Sequence, residues 1–117
     1  MARGAVEVRT FAITARDGYH IPVRSYVPLS SESGSGSGSK RSQRPVLVYL
    51  HAGGFLFGDL ESGDINCRTL AARLDISVLN VGYRLAPEWP FPCGVDDAFD
   101  AVAWVSFFIS FVRFCTV

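Results

Sequence analysis

The sequence predicts an α/β fold in which a β-hairpin leads into a partly parallel sheet with two flanking helices. Three observations carry this prediction. Residues 5–28 show alternating apolar side chains around a turn signal, residues 46–50 and 76–81 read as buried strands, and an amphipathic helix pattern lies between those strands. Strand, helix and strand of these lengths form a βαβ unit, whose right-handed crossover makes its two strands parallel.

The composition is that of a folded domain and argues against one class of function. The chain has 117 residues, of which 49% are hydrophobic and 19% charged, so one modest core is expected. Eleven basic and eleven acidic side chains give a formal net charge of zero, whereas a general nucleic-acid binder needs an excess of Lys and Arg. The short basic cluster at residues 40–44 is interpreted as a solvated loop, and no nucleic-acid partner is predicted.

The cysteines and the N-terminus suggest a compartment. Cys67, Cys93 and Cys115 form neither a Cys-x-x-Cys pair nor an even set, so neither a metal site nor a disulfide framework is predicted. Free thiols in a reducing compartment are expected instead. Charges interrupt residues 1–9, where a signal peptide needs an apolar segment. We therefore expect a cytoplasmic protein.

The first elements along the chain are the two strands of the hairpin. Apolar residues alternate over residues 5–14, Arg16-Asp17-Gly18 is a turn signal, and the second strand is expected to end at Pro28. The segment 30–44 begins with a run of Ser and Gly, and it is predicted to be a flexible surface loop within the domain.

Two helices are predicted further along. The first starts at about Asp64, which is expected to be its N-cap, and its inner stripe follows helical spacing: Cys67, Leu70, Ala71 and Leu74. The second starts near Pro92, because proline suits the first turn of a helix. Its acidic residues are expected to lie outward or in the first turns: Asp96, Asp97 and Asp100. Its inner face is predicted from the apolar spacing: Val95, Ala98, Phe99, Val102 and Val105 or Ser106.

The last residues differ from the rest, so a domain is predicted over 1–105 and an atypical apolar tail over 106–117. The tail has neither a polar face nor a cap. The uncharged apolar run 101–112 is shorter than the about 20 residues of a membrane-spanning helix, so spanning is not expected. One interpretation is that foreign residues follow the domain, as an unspliced intron read in frame would give. The other is an interfacial membrane segment.

The segment that follows the strand 46–50 carries the strongest chemical signal. The strand stops at His51-Ala52-Gly53-Gly54-Phe55. Two adjacent glycines allow backbone N–H groups to turn toward a ligand that a Cβ atom would hold away. Such paired N–H groups at the end of a buried strand can stabilise the oxygen that becomes negative during acyl transfer. The alternative is that the glycines only form a tight turn from strand to loop.

Two motifs together resemble a known family. His51-Ala52-Gly53-Gly54-Phe55 resembles the His-Gly-Gly-Gly motif of the α/β-hydrolases, in the hormone-sensitive-lipase-like group of esterases and lipases. Tyr83-Arg84-Leu85-Ala86-Pro87-Glu88 resembles a second motif of that group, and the two blocks occur in order, one crossover apart. The resemblance covers roughly residues 5–105 and implies the N-terminal portion of an α/β-hydrolase.

The resemblance implies hydrolysis of a small-molecule carboxylic ester by a serine hydrolase without a metal or organic cofactor. Gly53 and Gly54 match the glycines whose N–H groups form the oxyanion hole of that family. Ala52 stands where the family has the first glycine of its motif. His51 matches a histidine that braces the loop by hydrogen bonding and is not the catalytic base.

Further roles follow for the residues around these motifs. Arg84 is expected to be a scaffold residue paired with a carboxylate such as Glu88, Asp96 or Asp97. Four residues are candidates for the apolar substrate pocket, with core packing as the alternative: Phe55, Leu56, Phe57 and Trp89.

The serine nucleophile of such an enzyme is not found. No serine has glycine at both −2 and +2, and neither Asp nor His follows the second predicted helix. We therefore expect the chain alone to be inactive. The alternatives are a non-catalytic truncated product and a small membrane-associated protein with an apolar C-terminal tail. The sequence predicts no oligomeric state.

Overall fold

The computed structural model describes residues 5–29 and 45–116, and for residues 108–116 it describes the backbone alone. The predicted loop over residues 30–44 lies outside the described residues.

Four strands form one mixed sheet, in the order β1-β2-β4-β3. β1 and β2 pair antiparallel, β2 pairs antiparallel with β4, and β3 lies parallel to β4. The predicted hairpin and the parallel βαβ unit are therefore confirmed. The bounds of the strands are β1 (Val6–Thr14), β2 (His20–Pro28), β3 (Val46–Leu50) and β4 (Ser77–Val81).

The first helix, α1 (Asp64–Leu74), covers one face of the sheet. Its buried residues Cys67 and Ala71 pack with Tyr26 of β2 and Val78 of β4. Burial raises the pKa of the Cys67 thiol to about 11, so this free thiol stays protonated at neutral pH.

The prediction that Asp64 is the N-cap of α1 is wrong. The cap residue is Gly63, and no side chain caps the helix. The Asp64 carboxylate instead accepts hydrogen bonds from Tyr26, Arg24 and Arg68, so it joins the helix to β2. The bonds from Tyr26 and Arg24 join the helix to a strand, and helical spacing alone does not reveal them.

The second helix, α2 (Cys93–Thr116), covers the opposite face and runs on through the predicted tail. Its Ala101 and Val105 lie in an apolar cluster with Ile21, Val23 and Leu79 of the sheet. Within the described part of the chain, neither helix has the length and apolar character that a bilayer-spanning segment requires.

The predicted inner face of α2 is largely wrong. Val95, Phe99 and Val102 are exposed, whereas the buried positions of the helix include Gly94, Asp97, Ala101 and Val105. α2 is apolar on nearly all sides, so apolar spacing does not decide which side packs inward. The helix is thus turned about its axis relative to the predicted orientation, and the observed orientation buries Asp97 in an ion pair with Arg84.

Candidate active site

The loop that leaves β3 has an unusual backbone. Gly53 has φ 142° and Gly54 has φ 64°, both in the region that favours glycine. A Cβ atom on Gly53 would collide with the carbonyl group of Phe57, whereas one on Gly54 would meet open space. The sequence requirement is therefore strict at position 53 and weaker at position 54.

Hydrogen bonds within this loop leave the backbone N–H groups of Gly53 and Gly54 without an acceptor among the described residues. The N–H groups of Leu56 and Phe57 donate to the carbonyl oxygen of Gly53, at 3.1 and 3.2 Å. Among residues 5–29 and 45–116, no acceptor takes the N–H of Gly53 or of Gly54. Gly54 is exposed and Gly53 is half-buried. Two neighbouring amide donors are thus available to a ligand at the carboxyl end of β3.

The second motif holds both ends of this loop. The Tyr83 hydroxyl donates to the carbonyl oxygen of His51 at 2.6 Å, and the two rings stack with centroids 4.3 Å apart. The Phe55 ring meets the Tyr83 ring edge-on at 5.7 Å, and the Ala86 N–H donates to the Phe55 carbonyl at 2.9 Å. Burial raises the pKa of Tyr83, which keeps its hydroxyl a donor. The motif therefore fixes where the loop starts and where it turns back.

His51 is buried beneath the loop, and its contacts indicate its tautomer. Its Nδ1 lies 3.0 Å from the carbonyl oxygen of Ala52, and because a carbonyl can only accept, Nδ1 carries the proton. Nε2 has no hydrogen-bond partner within the described part of the chain. Gly58 is required here as well, since a Cβ atom at that position would collide with the imidazole ring. Gly58 was not among the predicted site residues, although it lies in the same glycine-containing loop.

A buried ion-pair network lies behind the second motif. The Arg84 guanidinium binds the Asp97 carboxylate at 2.7 and 2.9 Å, and it binds Asp17 of the hairpin turn at 2.9 and 3.1 Å. The rings of Tyr19 and Trp89 pack around the same guanidinium, with its central carbon 4.3 and 5.1 Å from their centroids. The predicted pairing of Arg84 is confirmed for Asp97, which lies in the first turns of α2 and is buried.

Asp17 is a partner of Arg84 that the sequence did not predict. The two residues lie 67 positions apart, and only the fold brings the hairpin turn to the second motif. The sequence marks Asp17 only through the motif Arg16-Asp17-Gly18, which predicts a turn of the backbone and says nothing about an ion pair.

All four predicted pocket residues are exposed, so they do not belong to the core that the described residues form. Phe55, Leu56 and Phe57 follow the two glycines in the loop, and Phe57 is 72% exposed. Trp89 packs against Tyr19 and Arg84. A groove of about 430 Å³ lies elsewhere, on the hairpin, and its lining is Glu7, Arg9, Thr10, Phe11, Ser25 and Val27.

The hydrogen bond from the Tyr83 hydroxyl to the His51 carbonyl, which we call the clamp, gives a testable prediction. Replacing Tyr83 by Phe leaves the buried carbonyl of His51 without its donor, which is expected to lower the free energy of unfolding by about 1–3 kcal/mol. The control is Tyr49→Phe, whose hydroxyl only accepts a bond from the exposed Asn66 amide and whose loss is expected to cost less than about 1 kcal/mol. Urea denaturation of both variants measures the difference, and equal losses would contradict the clamp.

The contact between Asp17 and Arg84 gives a prediction about pH. The hydrogen bonds from Arg84 lower the pKa of Asp17, so its contribution is present above about pH 4 and is lost as the pH falls through its folded-state value. Asp17→Asn is therefore expected to flatten the fall in stability below about pH 4. Denaturation curves at pH 7 and at acid pH test this. Parallel stability profiles of variant and wild type would show that the contact is not made.

Comparisons with known proteins agree with this geometry. Residues 47–107 match a protein family with the α/β hydrolase fold. The chain is 40% identical over 98 residues to an ethyl acetate hydrolase of Pseudomonas putida and 34% identical over 98 residues to an arylesterase of Saccharolobus solfataricus. Both matches cover 84% of this chain. A solved esterase structure from Pyrobaculum calidifontis superposes with a TM-score of 0.75 at 38% identity and covers 91% of this chain.

These relatives are considerably longer than this chain. The chain spans 29% of the Pseudomonas putida protein, 28% of the Saccharolobus solfataricus protein and 31% of the Pyrobaculum calidifontis chain.

Proposed function

The chain belongs to the α/β-hydrolase fold family, whose members similar to it are named as ester hydrolases, and we propose that it supplies the oxyanion hole of a serine carboxylic ester hydrolase. One observation carries the proposal. The N–H groups of Gly53 and Gly54 are adjacent, lie at the end of a sheet strand, and have no acceptor among the described residues. Donors fixed in this way before the reaction are what an oxyanion requires.

In the proposed reaction, a serine hydroxyl from outside this chain attacks the carbonyl carbon of a small-molecule ester. A histidine takes the proton of the serine and later gives it to the leaving alcohol. The carbonyl oxygen becomes negative in the tetrahedral intermediate, and the N–H groups of Gly53 and Gly54 donate to it. Losing one such donor costs about 3–4 kcal/mol of transition-state stabilisation in other enzymes.

The other residues of the two motifs have positioning or binding roles in this proposal. His51 and Tyr83 hold the loop in its path through their stacked rings and the bond to the His51 carbonyl. The exposed side chains of Phe55, Leu56 and Phe57 follow the two donors directly, which suits contact with the apolar parts of an ester. Trp89 is the remaining candidate for this pocket.

The test is a chimera. Residues 1–105 of this chain are joined to the part of the Pseudomonas putida ethyl acetate hydrolase that lies C-terminal to the matched region. The chimera is expected to hydrolyse p-nitrophenyl acetate and to react with a fluorophosphonate probe. The 117-residue chain alone is expected not to react with the probe, because it has no serine in a nucleophile motif. A folded but inactive chimera contradicts the proposed function, and labelling of the isolated chain contradicts the assignment of the nucleophile.

A further inference from the structure

The strand β4 carries an amide side chain among apolar neighbours. Residues 78–81 of this strand are all buried, and Asn80 among them has no exposed surface. A buried amide costs free energy unless hydrogen bonds replace those that it makes with water. An apolar, β-branched side chain suits a buried strand better. The hydrogen-bond partners of Asn80 therefore indicate what its amide does.

Two acceptors fix the orientation of the Asn80 amide. Its Nδ2 atom donates to the carbonyl oxygen of Leu60 at 2.9 Å, and a longer contact of 3.4 Å reaches the Tyr26 hydroxyl. The Tyr26 hydroxyl donates its own proton to Asp64, so it accepts from Asn80. Because a carbonyl oxygen can only accept, both contacts require the amide nitrogen on this side. The Oδ1 atom of Asn80 has no partner among residues 5–29 and 45–116, so the amide acts there as a donor.

The Leu60 carbonyl belongs to the segment that joins the glycine-containing loop to α1, residues 59–63, which we call the connecting turn. Two of its residues close the turn locally. The Asp59 N–H donates to the Ser62 hydroxyl at 3.0 Å, and the Ser62 N–H donates to the Asp59 carboxylate at 2.9 Å. The bond from Asn80 joins the backbone of this turn to the sheet.

Arg24 of β2 also reaches the connecting turn, but through a side chain. Its guanidinium lies 2.8 Å from the carboxylate of Glu61, whose side chain is 73% exposed. An ion pair that reaches so far into solvent holds its partners only weakly. The buried bond from Asn80 to the backbone is therefore the stronger restraint on the position of the turn.

The loop is held at both of its ends. At its start, the clamp from Tyr83 holds the His51 carbonyl, and at its end Asn80 holds the Leu60 carbonyl. Between them, Gly58 lies so close to the His51 ring that a Cβ atom would collide with it. A displacement of the connecting turn therefore moves the part of the loop that packs on His51.

We propose that Asn80 is a positioning residue for the oxyanion hole of Gly53 and Gly54. Its amide holds the end of the loop in place, while the clamp holds the start. This role deepens the proposed function and rests on it, because the position of the two N–H groups has a catalytic consequence only if they receive an oxyanion. The hold of Asn80 on the loop is a separate property, which can be measured without catalysis.

The role has a kinetic signature that a merely structural residue does not share. The two N–H groups donate to an oxygen that becomes negative only during the reaction. Their displacement therefore lowers kcat and kcat/KM by the same factor and leaves KM unchanged. A residue that only stabilises the fold changes the amount of folded enzyme, which titration of the active site with the fluorophosphonate probe measures.

The first experiment uses the 117-residue chain and needs no catalysis. Hydrogen exchange measured by NMR follows the N–H groups of Leu56 and Phe57, which donate to the Gly53 carbonyl and close the loop. Asn80→Val is expected to speed up both exchange rates at least about threefold, because the loop opens more often without its hold. The matched control is Tyr26→Phe, which removes the other partner of Asn80 and is expected to keep both rates within about twofold.

The second experiment measures the hydrolysis of p-nitrophenyl acetate by the chimera. In Asn80→Val, kcat per titrated site is expected to fall about tenfold and KM to stay within about twofold. Tyr26→Phe is expected to keep both constants within about twofold of the wild-type values. Asn80→Ala is measured in both experiments beside Asn80→Val and is expected to show the same changes, so that one misfolded variant does not prevent the test.

Each outcome decides the proposal. Unchanged exchange of Leu56 and Phe57 in the folded Asn80 variants overturns it, as does loss of the fold in both variants, which makes Asn80 a residue of the core alone. An equal change in Tyr26→Phe assigns the effect to the surrounding network and also overturns it, as does an unchanged kcat in an active chimera. Faster exchange together with an inactive wild-type chimera supports the hold of Asn80 on the loop and contradicts the proposed function.

Discussion

Arg84→Ala is expected to lower the free energy of unfolding of the chain by about 3–5 kcal/mol, the usual cost of removing one partner of a buried ion pair. The Arg84 side chain is 3% exposed and the Asp97 side chain is completely buried. Without the guanidinium, the Asp97 carboxylate keeps only its bond from the Arg84 backbone N–H, at 2.9 Å. Asp17 and the two aromatic rings that pack on the guanidinium lose their common contact as well.

The matched control for this variant is Arg16→Ala. Arg16 also binds carboxylates of α2, but its side chain is half-exposed, so its loss is expected to lower the free energy of unfolding much less than the loss of Arg84. Urea denaturation at neutral pH, followed by circular dichroism, measures both values. Similar losses in the two variants would show that the network of Arg84, Asp97 and Asp17 does not hold the second motif in place.

Gly53→Ala is expected to lower kcat/KM of the chimera by about 10²–10³-fold, the effect of losing one oxyanion donor. With φ at 142° and the Phe57 carbonyl in the place of a Cβ atom, alanine cannot adopt the observed backbone at this position. The peptide groups around residue 53 must rotate, and this moves the N–H groups that donate to the substrate carbonyl in the proposed reaction.

Gly54→Ala is the control, because a Cβ atom there meets open space. Its φ of 64° lies in the left-handed region, which the neighbouring Phe55 also adopts at 66°. The expected cost is about 1–2 kcal/mol of stability and less than about tenfold in kcat/KM. Rates for p-nitrophenyl acetate, measured on chimeras whose folding is verified by circular dichroism, separate the two positions. An equal or larger loss in Gly54→Ala would contradict the steric basis of the loop.

The elements of this fold were predictable because their patterns are local. The hairpin follows from alternation around Arg16-Asp17-Gly18, and the parallel pair follows from two β-branched runs separated by one helix. Both are confirmed by the register of the sheet.

The packing of α2 was not predictable from the same reasoning. Its apolar residues lie on several sides, so spacing selected Val95, Phe99 and Val102, whereas the structure buries the side with Asp97. A buried carboxylate becomes favourable only when its partner is known, and Arg84 lies 13 residues earlier in an irregular segment. Asp17, its second partner, comes from the hairpin turn.

The candidate site was predictable in part. Adjacent glycines after an apolar strand indicated the loop, and the N–H groups of Gly53 and Gly54 remain the basis of the proposal. The prediction that this strand is buried is wrong, because β3 ends the described sheet and its Leu47 and Leu50 are exposed. The hydrogen bond from Tyr83 to the His51 carbonyl was not predictable, because it joins segments 32 residues apart through a backbone acceptor that no side-chain pattern marks.

The most direct test of the proposed role is a crystal structure of the chimera with a phosphonate bound covalently to its serine. We expect the phosphonyl oxygen to lie about 2.7–3.1 Å from the amide nitrogens of Gly53 and Gly54, the geometry of a bound oxyanion. A phosphonyl oxygen held by other donors, with these two amides directed away from it, would contradict the assignment.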